Sequence, residues 1–206
     1  MNYEMILATT NKHKLQEVRE ILSPKGIIVY GLNDLMLKPE DVEENGKTYA
    51  ENALIKARAV QKLTTMPIIA DDSGLEVEAM NNEPGLFSAR YAASKGGHEN
   101  AIKEILNNVK GKSRAARFVC DIVLLNVEEK PLTFEGIVPG HIAEEVSGQG
   151  GFGYDPIFVC DEVGMTYADI PQEKKNKVSH RGKALLKLIT YLKINHLIKW
   201  RRFLIR

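Results

Sequence analysis

The chain has 206 residues, enough for one large α/β domain or two small lobes with a real core. Hydrophobic content is 44%, charged content is 27%, and the net charge of +1 excludes a global field drawing the chain onto nucleic acid or membrane. No run of about 18 uninterrupted apolar residues marks a membrane span. The N-terminus MNYEMILATTNKHK has no basic region followed by an apolar one, so the expectation is a cytoplasmic protein without an export signal.

Residues 5–8 predict a short strand, followed by the polar loop TTNKHK. Leu15, Val18, Ile21 and Leu22 recur at helical spacing, and Pro24 and Gly26 stop that helix. Residues 27–30 predict a second strand. PEDVEENGKTYAEN is acidic and then opens a helix with the apolar stripe Ala50, Ala53, Leu54, Ala57 and Val60. Residues 68–70 predict the end of a buried strand, DDSG follows at its mouth, and LEVEAM alternates like a further strand before the turn NNEPG. Ile102, Ile105, Leu106 and Val109 define an amphipathic helix. ARFVCDIVLL predicts a central strand, with two more in TFEGIVPG and PIFVC, and Ala184, Leu185, Leu188, Ile189 and Leu192 mark the last helix. Helices alternate with strands early and strands cluster later, which predicts an α/β mixed sheet with a β-rich lobe. Cys120 and Cys160 lie inside apolar runs and predict buried core thiols, not a disulfide or zinc site.

Five polar stretches have no evident core role. In ATTNKHKLQEV, a strand leads through small hydroxyls and an amide to a helix start carrying Lys14. Backbone N–H groups there suit phosphate, and equally Thr10 or Asn11 caps a helix whose Lys14 is solvated. Neither GxxxxGK[ST] nor GxGxxG is present. In VEENGKTYAENALIKA, Glu43 and Glu44 precede a helix on which Asn52 and Lys56 share a face; the alternative is an acidic N-terminus complementing the helix dipole. In DDSG, Asp71 suits an Asx-turn or cap, which leaves Asp72 as a hard oxygen ligand suited to Mg²⁺. GQGGFGYDPIF surrounds Phe152 with glycines, either as an aromatic platform or as a glycine-rich hairpin. KKNKVSHRGKA sets His180 and Arg181 at a helix start beside several lysines, either as donors or as a solvated basic loop. Two acids, several lysines, an aromatic slab and a His-Arg pair together make the inventory for a magnesium-bound nucleoside triphosphate.

The ordered motifs LATTNKHKLQEV, ENGKTYAENALIKA, ADDSGLEVEAMNNEPGLFSARYA, GGFGYDPIFV and SHRGKAL closely resemble the inosine triphosphate pyrophosphatase family, the dITP/XTP pyrophosphatases, over roughly residues 4–192. The resemblance implies Mg²⁺-dependent hydrolysis of ITP, dITP or XTP to the monophosphate and pyrophosphate. It also implies an elongated two-lobed α/β fold with a central cleft, a single domain over residues 1–206, and a homodimer that binds neither nucleic acid nor membrane. Carried onto this chain, it puts the phosphate loop on Thr9, Thr10, Asn11, Lys12, His13 and Lys14, with Lys56 and Ser73 nearby. The metal acids fall on Glu43, or Glu44 one position on, and on Asp72, which is also the proton acceptor. Phe152, Gly153, Tyr154 and Asp155 form the base pocket, closed by Lys175, His180 and Arg181. Arg181 and a protonatable His180 would donate to a 6-carbonyl, which favours hypoxanthine and xanthine over adenine. Residues 195–206 continue past the family's usual end as a basic extension, expected as a surface or interface helix. Two rivals are a pyrophosphatase for ordinary or pyrimidine nucleotides and a non-catalytic nucleotide or RNA binder; a polyanion binder gains nothing from acids crowding its cleft.

Overall fold

The structure is a computed structural model and describes residues 3–198. Strand β1 (Tyr3–Leu7) pairs in parallel with β2 (Ile27–Gly31) on one side and β3 (Ile68–Val77) on the other. Helix α1 (Lys12–Leu22) makes the β1–β2 crossover, and the 3-10 turn Ser23–Lys25 that follows it ends at Gly26 in the left-handed region at φ 78°. Helix α2 (Tyr49–Gln61) connects β2 to β3. The short β4 (Glu83–Pro84) pairs with β3, and α3 (Ser88–Ser94) and α4 (His98–Asn108) follow. The chain then turns antiparallel through β5 (Ala115–Leu125), β6 (Leu132–Ile142), β7 (Phe158–Cys160) and β8 (Met165–Thr166). The sheet order is β2-β1-β3-β5-β6-β7-β8, and α5 (Gln172–Val178) and α6 (His180–Ile194) complete the chain. This is the expected mixed α/β sheet, parallel early and antiparallel later.

One expectation fails in an informative way. DDSG is not a turn between two strands but the middle of the continuous ten-residue β3, paired in unbroken register with β5 from Ile68↔Leu125 to Val77↔Ala116. Its acids look like turn residues in isolation, but the ladder with β5 fixes them in extended backbone. Ile68 and Ala70 then point toward α2, packing with Ala53, Ala57 and Val60, while Ile69 points toward α1 and α6 among Val18, Leu22 and Leu185. The lysine-rich stretch before α6 is likewise the helix α5 rather than a solvated loop. Both cysteines are free and buried, as expected. Helix α6 ends at Ile194, and Ile198 turns back into the apolar core, so the expected tail helix does not begin at 195; its remainder lies outside the described residues. Among the described residues no helix is long and apolar enough to cross a membrane.

Helix α6 meets the sheet closely at Gly136 of β6. A Cβ there would lie 2.0 Å from the His180 carbonyl oxygen and 2.7 Å from the Ala184 nitrogen. Both obstacles are backbone, so the helix itself would have to move. Gly136→Ala should therefore lower stability by about 1–3 kcal/mol, the usual scale for overpacking, and displace His180 and Arg181. Urea midpoints of the two proteins would register the loss, and an unchanged midpoint would show that α6 shifts freely.

Candidate active site

Successive side chains on a strand point to opposite faces of the sheet, and this separates the two aspartates of β3. Asp71 points toward α1 and α6. Its Oδ2 lies 3.1 Å from Lys14 Nζ and accepts hydrogen bonds from Arg181 Nη2 at 2.9 Å and Nε at 3.2 Å. Asp72 points toward α2, where it accepts from Asn52 Nδ2 at 3.2 Å and meets Lys56 Nζ at 3.3 Å. Asn52 and Lys56 share a helix face, as their spacing predicts. Lys56 also reaches Glu44 at 2.9 Å. Glu44 and Asp72 thus converge on one ammonium group, whereas the Glu43 carboxylate has no hydrogen bond or ion pair among the described residues and lines the same cleft.

A second set of charges is buried behind Phe152. Lys175 Nζ donates to Glu17 Oε1 and to Asp155 Oδ2, both at 2.6 Å, and Arg181 Nη1 donates to Glu17 Oε2 at 2.6 Å. Arg181 Nη2 also donates to Ser73 Oγ at 3.1 Å, and Asp155 Oδ2 accepts the Phe152 N–H at 2.8 Å. The chain of alternating charge runs Asp155, Lys175, Glu17, Arg181, Asp71, Lys14. Lys175 and Arg181 lie 5.2 and 5.8 Å from the centroid of the Phe152 ring.

Electrostatics follow from this wiring. Burial would raise the Asp71 and Glu17 carboxyls, but it is outweighed by Lys14 and Arg181 for Asp71 and by Arg181 and Lys175 for Glu17; both are held below their ordinary values. Asp72 goes the other way: burial dominates, Glu44 and Asp71 add to it, and Lys56 and Lys14 only partly offset it. Burial, with Arg181 and Lys175 adding to it, pushes His180 well below 6.5, so its imidazole is neutral.

Every nominated residue except Lys12 and His13 lines one cleft of about 820 Å³. Lys12 and His13 are exposed in the first turn of α1, whose N–H groups at His13 and Lys14 are capped by Asn11 Oδ1. The His13 ring instead stacks on Phe152 at 5.2 Å and 12°. His180 departs from the expectation of a protonatable donor. It is buried, stacked on Phe118 at 4.5 Å and Tyr167 at 6.0 Å, and its Nδ1 lacks a hydrogen-bond partner. Arg181 and Asp155 are largely engaged by oppositely charged neighbours rather than open to a ligand. Glu17 is the residue that sequence reasoning missed. Its partners are 158 and 164 positions away, and only its i+3 spacing from Lys14 hints at a shared role. His98, in the first turn of α4, also lines the cleft without any sequence signal.

An open cleft of this volume, with cations at one end, paired acids on the sheet and an aromatic ring at the other end, is of a size and polarity for a phosphorylated heterocycle. The model of the Ham1 family matches residues 5–191, and the chain belongs to that family. The dITP/XTP pyrophosphatase of Bacillus subtilis (strain 168) is 43% identical over 188 residues, covering 90% of this chain and 94% of the relative. That of Thermus thermophilus is 44% identical over 188 residues, covering 90% of each. Among solved structures, a HAM1 protein from Coxiella burnetii superposes with TM-score 0.79 at 39% identity, covering 92% of this chain and 98% of that one. The Staphylococcus aureus Ham1 protein gives 0.81 at 38%, covering 93% and 99%.

The depressed carboxyls set an acid limit. Their stabilisation is complete above their ordinary values of 4.5 for Glu17 and 3.8 for Asp71, and it is lost as pH falls through the lower folded values. Glu17→Gln should reduce stability at neutral pH by about 3 kcal/mol, the scale for unpairing buried charges, and should lose its share of the acid-induced decline. Urea midpoints from about pH 3 to pH 7 would reveal both effects; parallel curves for the two proteins would contradict the assignment.

Proposed function

We propose that this protein hydrolyses inosine and xanthine nucleoside triphosphates (ITP, dITP and XTP) to the monophosphate and pyrophosphate, and so cleanses the nucleotide pool. The observation that carries this reading is the partition of Asp71 and Asp72. One carboxylate is locked into the ion network that builds the pocket, and its neighbour faces the cleft beside Lys56 and Glu44. The names of the relatives support the same chemistry.

Asp72 and Glu44 already converge on a cation, Lys56 Nζ, and hard carboxylate oxygens suit Mg²⁺. Asp72 with Glu44, or Glu43 beside it, would hold the ion. Among the described residues no group of three or more His, Cys, Asp or Glu gathers at one point, so water and phosphate oxygens would complete its shell. When bound, Mg²⁺ would supply Lewis-acid stabilisation of phosphate oxygens and a more acidic water. Asp72 takes the proton of the attacking water as it approaches the α-phosphorus, and burial makes it a stronger base than an exposed aspartate. Lys14 and Lys56 stabilise charge developing on the phosphates. Phe152 stacks on the base, which every purine shares. His180 Nδ1, in the neutral tautomer that carries its proton there, donates to the 6-carbonyl. Adenine presents another donor at that position and leaves the buried imidazole unpaired. The same reading includes a homodimer working in the cytoplasm.

Pyrophosphate release with Mg²⁺ tests this directly. ITP, dITP and XTP should be turned over, with ATP about 10- to 10²-fold lower in kcat/KM from the buried His180 donor left unmet. Equal turnover of ATP, or binding of ITP without pyrophosphate release, would point to the rival functions. Asp72→Asn keeps the side chain's shape but cannot accept a proton. Its kcat should fall by ~10²–10⁴-fold while the fold persists, and a variant retaining more than about a tenth of wild-type kcat would remove Asp72 as the base.

A further inference from the structure

Two imidazoles line the cleft, and neither has a ring nitrogen in a hydrogen bond or ion pair among the described residues; His180 is buried in an aromatic stack, whereas His98 is not. It belongs to α4, an element otherwise devoted to the apolar core through Ala101, Ile102 and Ile105. Its ring meets Tyr154 edge-on at 5.2 Å and 71°. Its Nε2 lies 3.7 Å from where a Cβ on Gly153 would sit, and Gly153 holds φ 65°, a backbone conformation that favours glycine. The imidazole therefore stands against Gly153 and Tyr154, the residues that follow Phe152 in the chain. Burial also holds it below 6.5, so at neutral pH it offers one N–H donor and one bare nitrogen.

The other polar groups around the platform are already committed. Arg181 serves Asp71, Glu17 and Ser73, and Asp155 serves Lys175 and the Phe152 N–H. If His180 takes the 6-carbonyl, a purine edge meeting a second wall needs a second hydrogen-bonding group. Hypoxanthine and xanthine differ at position 2, where xanthine carries a carbonyl and hypoxanthine only hydrogen. We propose that His98 is a further specificity-determining residue, donating from its imidazole to the 2-carbonyl of xanthine nucleotides. This rests on the function proposed above.

The test is steady-state pyrophosphate release from XTP and ITP by the wild type, His98→Phe and His98→Gln, all with Mg²⁺. Phenylalanine keeps a ring against Tyr154 but has no donor, and glutamine restores one. His98→Phe should lower the XTP/ITP ratio of kcat/KM by about 2- to 12-fold, the factor for one hydrogen bond, with the change mainly in KM for XTP. His98→Gln should hold the ratio within about twofold of wild type, since it keeps a donor. An unchanged ratio in His98→Phe, or equal losses in both variants, would reduce His98 to packing and overturn the inference while leaving the proposed function standing. Failure of the wild type to release pyrophosphate from either nucleotide would overturn the function and this inference together.

Discussion

The Asp71 carboxylate is 1% exposed in the middle of an apolar sheet. An ionised group there without partners would cost several kcal/mol, so the surrounding sequence has to supply cations. It does so from two separate helices, Lys14 from α1 and Arg181 from α6, and Arg181 is in turn tied through Glu17 to Lys175 on α5. The start of α1, helix α6 and the sheet are therefore positioned by one another's charge. Replacing such a network by apolar residues is often neutral for stability. Its evident service here is geometry: it fixes Asp155, Arg181 and Phe152 around a shared cavity.

The two ends of the cleft differ in what they present to its interior. At the sheet end, ions of both signs stay charged and face an opening large enough for water and phosphates. At the aromatic end, burial, with Arg181 and Lys175 adding to it, keeps His180 neutral among Phe118 and Tyr167, and Phe152 supplies a flat ring in front of the buried ion pairs. A triphosphate joined to a heterocycle has this same polarity along its length. A compact anion or a bare base would match only half of the cavity.

The sequence carries the elements well because their cues are local. Helical spacing marks α1, α2, α4 and α6, apolar runs mark β1, β5 and β7, and Asn52 with Lys56 could be placed on one helix face from their spacing alone. The cleft's membership was legible too, since each motif carries polar residues with no core duty. What stayed hidden depends on distant partners. DDSG reads as a turn until β5 pins it in register, and Glu17 reads as one more surface acid until α5 and α6 deliver Lys175 and Arg181. His180 reads as a titratable donor because a sequence does not display the aromatic rings that will enclose it. Charge type is written in the chain, whereas charge state is set by burial.

The unbroken pairing of β3 with β5 has a further effect. Side chains alternate strictly along a strand, so slipping β3 by one residue exchanges the faces of Asp71 and Asp72. The acid meant for Arg181 would then face Lys56, and the one beside Glu44 would be sealed against Cys120. A misaligned chain would thus have the right composition with its two acids on exchanged faces. The ion network is in this sense a parity check on the sheet: its closure reports not only that the chain has folded, but that its strands were counted correctly.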